Sequence, residues 1–185
     1  MNRKSWQYSI FDKQVTARFK KLGDIGEHIS EILLKEAGFK NIKNLNKIDS
    51  SNTPFYDIYA ERGRNKYVIS VKTRNKYENS IAGKRINSRY KLTDNPKLFS
   101  EEARLKYHSE PAWIAIAVET DKGTFDAYFG TLYMLEGNQK GIGMNEQTTS
   151  SYERLAFCRP FEKMGINKKD YVHLKNEYKQ RKLNA

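Results

Sequence analysis

A single cysteine, Cys158, occurs in the 185 residues. One thiol cannot close an internal disulfide, so no covalent staple supports the fold and nothing calls for an oxidising compartment. Long apolar runs are also missing. No stretch approaches the ~20 apolar residues that a membrane-spanning helix requires, and residues 1–14 lack the apolar centre of a signal peptide. Together these absences predict a soluble, cytoplasmic protein. The three histidines, His28, His108 and His173, are scattered without the spacing of a zinc site. Gly141-Ile142-Gly143 lacks the flanking strand and helix of a dinucleotide loop. Neither an internal repeat nor a low-complexity linker divides the chain. The expectation is one domain over residues 1–185, with a core about 23–132 and a basic extension about 150–185.

Acidic residues are scarce relative to basic ones, 22 against 34, which leaves a formal net charge of +12. Such an excess repels itself in a compact state unless a polyanion is the normal partner, and nucleic acid is the foremost candidate. A basic, ribosome-associated chain without a site is the alternative. Hydrophobic residues at 38% are somewhat lean, but the aromatic share of 12% compensates because each ring buries a large area.

Along the chain, residues 5–21 read as a short helix. A clear helical pattern opens at Leu22, placing Ile25, Ile29, Ile32, Leu33 and Ala37 on one face, with Gly38 to end it. A short strand is predicted over residues 39–45. Strands over 55–60 and 67–73 are joined by the turn-rich segment 61–66. Residues 74–92, polar and without period, are expected to loop. Asp94-Asn95-Pro96 starts a helix that Pro111 stops, and the apolar run 112–118 reads as a central buried strand. Its hairpin partner is expected over 124–132, after the Asp121-Lys122-Gly123 turn. Residues 135–151 are expected to loop, and 163–185 to be basic and partly helical. This order predicts a mixed α/β sheet covered by helices.

Asp57 and the run Ser70-Val71-Lys72 carry the candidate chemistry. Alternation points Ser70 and Lys72 one way and Ile69 and Val71 the other, while hairpin pairing brings Asp57 alongside. A carboxylate and an ammonium inside apolar strands are costly unless paired or used. Metal-assisted phosphodiester hydrolysis uses such groups, a carboxylate holding Mg²⁺ and a lysine orienting water or offsetting phosphate charge. The alternative is a cross-strand ion pair worth ~0.2–1 kcal/mol.

In Gly26-Glu27, in Pro54-Phe55-Tyr56-Asp57 and in Ile69-Ser70-Val71-Lys72-Thr73, the chain resembles the PD-(D/E)xK nucleases. That group includes many restriction enzymes, Holliday-junction resolvases, and some homing and repair endonucleases. The resemblance spans residues 23–118 and implies a restriction-endonuclease-like αβββαβ core. It implies Asp57 as principal metal ligand, Lys72 as catalytic lysine, Glu27 as auxiliary ligand and the Val71 carbonyl completing the shell of Mg²⁺, with Mn²⁺ a possible substitute. Ser70 departs from the pattern, which has Glu, Asp or Gln there. Either Glu27 compensates, or Ser70 holds a metal-bound water, or the site is weak or inactive. Glu27 also has a second reading, as a helix cap together with Asp24.

Arg74, Lys76, Lys84, Arg85, Arg89 and Lys91, near or beyond the lysine strand, are candidate phosphate contacts, with Tyr90 placed to stack or pack. Lys168, Lys169, Lys175, Lys179 and Arg181 offer a second basic surface. The function expected is a Mg²⁺-dependent endodeoxyribonuclease, dimeric because duplex cleavage needs two sites, and restriction-type ahead of junction-resolving or homing. The alternative is a lapsed nuclease fold that only binds nucleic acid.

Overall fold

The computed structural model describes residues 3–48, 55–80, 83–135 and 139–171. In chain order the helices are α1 (Arg3–Glu36), α2 (Leu45–Ile48), α3 (Pro96–Tyr107), α4 (Glu146–Thr149) and α5 (Lys168–Tyr171). The strands are β1 (Lys40–Asn44), β2 (Ile58–Arg62), β3 (Asn65–Asn75), β4 (Tyr77–Ser80), β5 (Gly83–Ile86), β6 (Arg89–Lys91), β7 (Glu110–Glu119), β8 (Thr124–Thr131), β9 (Gly141–Gly143) and β10 (Glu153–Pro160).

Six strands form the main sheet in the order β1-β2-β3-β7-β8-β10. All neighbours run antiparallel except β3 and β7, which are parallel. A parallel pair needs a crossover, and α3 supplies it between those two strands. The central strand β7 explains its apolar run: Ala112, Ile114, Ile116 and Val118 enter one core cluster, and Trp113, Ala115 and Ala117 enter the other. A strand buried on both faces has no polar side to alternate with. The first cluster is closed by α1 through Leu22, Ile25, Ile29, Leu33 and Leu34, and the second by Phe99 and Ala103 of α3.

The start and stop signals act as the residue chemistry requires. Asn95 caps α3, its side chain accepting the Leu98 N–H. Gly38 takes a left-handed φ of 81° and ends α1, with the Phe39 N–H reaching back to the Leu34 carbonyl at 2.9 Å. Pro111 does not end α3. His108 does so in a left-handed conformation, and Pro111 is the second residue of β7.

Several elements differ from the sequence reading. Residues 5–21 do not form a separate short helix, since α1 is one unbroken helix of 34 residues. The strand expected from residue 55 begins at Ile58, because Phe55 and Tyr56 turn their rings onto Phe99 at 5.8 and 4.5 Å. The expected loop over 74–92 contains the β4–β5 hairpin and β6. Arg85 and Ile86 of that hairpin are exposed. The expected loop over 135–151 contains β9, which pairs with β6. Strand β10 escaped notice because its bulges, with Cys158 at a φ of 45°, break the alternation. Among the described residues no helix is long and apolar enough to cross a membrane.

Candidate active site

The site begins with a mismatch in strand length. β2 pairs with β3 only as far as Ile58 opposite Ile69, whereas β3 continues beside β7 to Asn75. Past Ile69, therefore, one edge of β3 lacks a strand partner among the described residues. Asp57 fills the vacancy with its side chain: Oδ2 accepts the Val71 N–H at 2.7 Å. A strand residue points its N–H and its carbonyl to the same edge, so the Val71 carbonyl also faces this gap. The Asp57 backbone is anchored on both sides, its N–H donating to the Ile69 carbonyl at 2.9 Å and its carbonyl accepting from Leu45 at 2.8 Å.

Glu27 arrives from α1 because that helix lies unusually close to β3. A Cβ on Gly26 would stand 1.7 Å from Thr73 Oγ1, so only glycine permits the approach. Asp24 and Glu27 both lie within the long helix rather than at its start, which overturns the capping reading. Instead the corner between β1 and α2 engages Glu27. Asn44 Nδ2 donates to Glu27 Oε2 at 3.0 Å and to Glu31 Oε1 at 2.9 Å. Asn46 Nδ2 donates to Glu27 Oε1 and to Asp57 Oδ1, each at 3.1 Å. Two carboxylates thus converge on one amide nitrogen. Burial pushes the Glu27 carboxyl above its usual pKa; the Asn44 bond resists, the Asp57 charge reinforces, the Asn46 bond resists and Asp24 reinforces.

Lys72 is half-buried, and burial lowers its pKa; the Asp57 charge opposes that shift and Arg74 adds to it. Asp57 and Lys72 are therefore electrostatic neighbours. Ser70 and Lys72 share the pleat face of Val68, which packs in the α3-side core. Ser70 is fully buried, and its Oγ has no hydrogen-bond partner among the described residues.

Among the described residues, no group of three or more His, Cys, Asp or Glu side chains could hold a metal ion. Glu27 and Asp57 converging on one neutral amide donor, with the Val71 carbonyl on the same strand edge, nevertheless fit Mg²⁺, which takes one or two carboxylates and keeps several waters. Asn44 and Asn46 were missed from sequence. Asparagine is ordinary at strand ends and turns, so nothing distinguished these two.

The expected phosphate contacts are dispersed. Arg74 leans along β3, Nη1 donating to the Thr73 carbonyl at 2.9 Å. Lys76 is tied to the buried Asp126, Nζ to Oδ2 at 2.7 Å. Burial opposes its charge, but the Asp126 hydrogen bond and field prevail and raise its pKa. Arg85, Arg89 and Lys91 are exposed, Lys91 pairing with Asp94 at 2.7 Å. The Lys84 side chain lies outside the described residues, as do Lys175, Lys179 and Arg181, whereas Lys168 and Lys169 are exposed on α5. Tyr90 is buried, so it packs rather than stacks.

No protein-family model and no curated protein matches the chain. Among solved structures, it is similar to the Holliday junction resolvase Hjc of Archaeoglobus fulgidus, an archaeal hyperthermophile, with a TM-score of 0.50 and 21% identity. The match covers 72% of this chain and 97% of the other. At that identity the likeness bears on architecture, and the chain has a restriction-endonuclease-like fold.

Proposed function

We propose that the chain is a metal-dependent endonuclease acting on DNA, with its centre at Glu27, Asp57, Val71 and Lys72. One observation carries the reading: the Glu27 and Asp57 carboxylates meet at the Asn46 amide, beside an unpaired edge of β3. The Asp57 charge disfavours ionisation of Glu27, and a divalent cation would relieve that cost. When bound, Mg²⁺ or Mn²⁺ would polarise the scissile phosphate and acidify an attacking water. Asp57 is oriented beforehand by the Val71 N–H and Asn46, so its carboxylate needs no rearrangement to serve as a ligand. Glu27 supplies the second carboxylate and the Val71 carbonyl a third oxygen. Lys72 lies within the field of Asp57, and its ammonium would offset the charge that builds on a phosphate.

The basic excess supports a polyanionic substrate. The likeness to a Holliday junction resolvase favours branched DNA at least as much as a restriction-type target. Cutting two strands calls for two sites, and so for a homodimer. A second reading, a lapsed site that binds without cutting, is favoured by Ser70, buried and unbonded where the motif has a carboxylate.

Supercoiled plasmid, linear duplex and a synthetic four-way junction, each with Mg²⁺, Mn²⁺ or EDTA, separate the two. Metal-dependent cleavage that falls by about 10²-fold or more in Asp57→Ala and Lys72→Ala supports the enzyme. Binding without cleavage in any metal supports the lapsed site.

A further inference from the structure

Phe19 departs from the pattern of the helix that carries it. Leu22, Ile25, Ile29 and Leu33 of α1 are buried, whereas Phe19, one turn ahead of Leu22, keeps 47% of its surface exposed. Two guanidinium groups flank its ring: Arg18 Cζ lies 5.4 Å from the centroid and Arg74 Cζ 5.8 Å. Both distances approach the ~6 Å outer limit of a cation–π contact, so neither cation seals the ring. Lys20 and Lys21, the next two residues of α1, are exposed, and among the described residues no carboxylate pairs with Arg18, Lys20, Lys21 or Arg74. An exposed aromatic face flanked by two guanidinium groups is the composition of a single-strand stacking platform.

Position adds a second argument. The Gly26–Thr73 contact fixes α1 against β3, and Arg74 follows Thr73 on that strand. Phe19 therefore stands ~12 Å from Glu27 along the helix axis, at 1.5 Å per residue. That span matches three to four base steps at ~3.4 Å each. Solvent exposure of one aromatic side chain is ordinary by itself. Here it coincides with two flanking guanidinium groups and a fixed offset from the candidate centre.

We infer that Phe19 is a stacking subsite for an unstacked nucleobase, with Arg18 and Arg74 contacting the adjoining phosphates. The inference rests on the DNA reading proposed above. Within a continuous duplex each base is covered by its neighbours and offers Phe19 no face. At a bulge, a branch point or a frayed end a base face is free. The subsite thus selects DNA whose stacking is interrupted, independently of sequence, because every base has a π-face.

The test is binding in EDTA, which separates it from cleavage. A duplex carrying one bulged 2-aminopurine and the same duplex without the bulge are titrated with the wild-type chain, Phe19→Ala and Phe19→Trp. Fluorescence anisotropy and 2-aminopurine emission are read, with circular dichroism and sedimentation as controls. The wild type should prefer the bulged duplex and change the emission of its 2-aminopurine on binding. Phe19→Ala should reduce the preference roughly tenfold, and Phe19→Trp should restore it. Equal preference in wild type and Phe19→Ala overturns the inference, as does an equal loss on both duplexes. A change in sedimentation with Phe19→Ala overturns it too, because it assigns the ring to a contact between copies. If the preference depends on Phe19 but no metal supports cleavage, the stacking subsite stands and the catalytic proposal falls. Absence of any DNA binding removes both.

Discussion

Glu27 shows how a single residue can work against the fold that holds it. Burial and the Asp57 charge raise its pKa, and two asparagine amides only partly compensate. A carboxyl whose folded pKa lies above its unfolded value destabilises the fold when ionised. That cost is fully present above the raised value and vanishes as pH falls below the unfolded one. Glu27→Gln should therefore melt at a higher temperature than the wild type at pH 7 in EDTA, and the difference should shrink as the pH approaches 4. Scanning calorimetry at two pH values checks it; a lower melting temperature at pH 7 would contradict the frustrated carboxylate pair. Lys72 is the counterpart, an ammonium disfavoured by burial and retained beside Asp57. Strain of this kind, paired with loss of activity on removal, is characteristic of functional sites.

At the scale of the element, α1 holds two glycines three positions apart with opposite consequences. A Cβ at Gly23 would meet nothing within 4 Å. Gly23→Ala should stabilise the protein by ~0.5–1 kcal/mol, because alanine loses less backbone entropy in a helix interior. At Gly26 the added carbon would collide with Thr73. Gly26→Ala should cost ~1–3 kcal/mol as an overpacked contact. It should also lower cleavage by displacing Glu27, and Gly26→Ala with Thr73→Ala should recover part of both. Urea denaturation of the single and double variants measures these effects. Equal effects of the two alanines would mean that helix propensity, and not close packing, dominates α1.

For the whole molecule, the candidate site exists only where α1, the β1–α2 corner, the start of β2 and the free edge of β3 meet. An ion bound there links those elements and stabilises the native state in proportion to ln(1 + [ion]/Kd). Millimolar Mg²⁺ should raise the melting temperature of the wild type and leave that of Asp57→Ala unchanged. An equal rise in both would place the binding elsewhere. The net charge of +12 makes a further prediction. Affinity for duplex DNA should fall about 10³-fold or more between 50 and 200 mM salt if six or more phosphates are contacted. A flat salt dependence would argue against an extended phosphate interface.

The apolar run of β7, the cap at Asn95, the terminal glycine of α1 and the pleat of β3 are local patterns, and each was legible in the residues that form it. The positions of Asp57 and Lys72 in apolar surroundings were legible for the same reason: a charge where the period demands an apolar side chain stands out. Asn44 and Asn46 carried no such signal, and the cap reading of Glu27 was locally reasonable until α1 proved to be continuous. Lys76 looked free and is held by Asp126, 50 positions away. The sequence by itself determined which residues are unusual where they stand. Only the tertiary structure decided which of them meet, because the Glu27–Asn46–Asp57 junction is set by a helix-to-strand contact that a single absent Cβ permits and by a strand that ends before its neighbour.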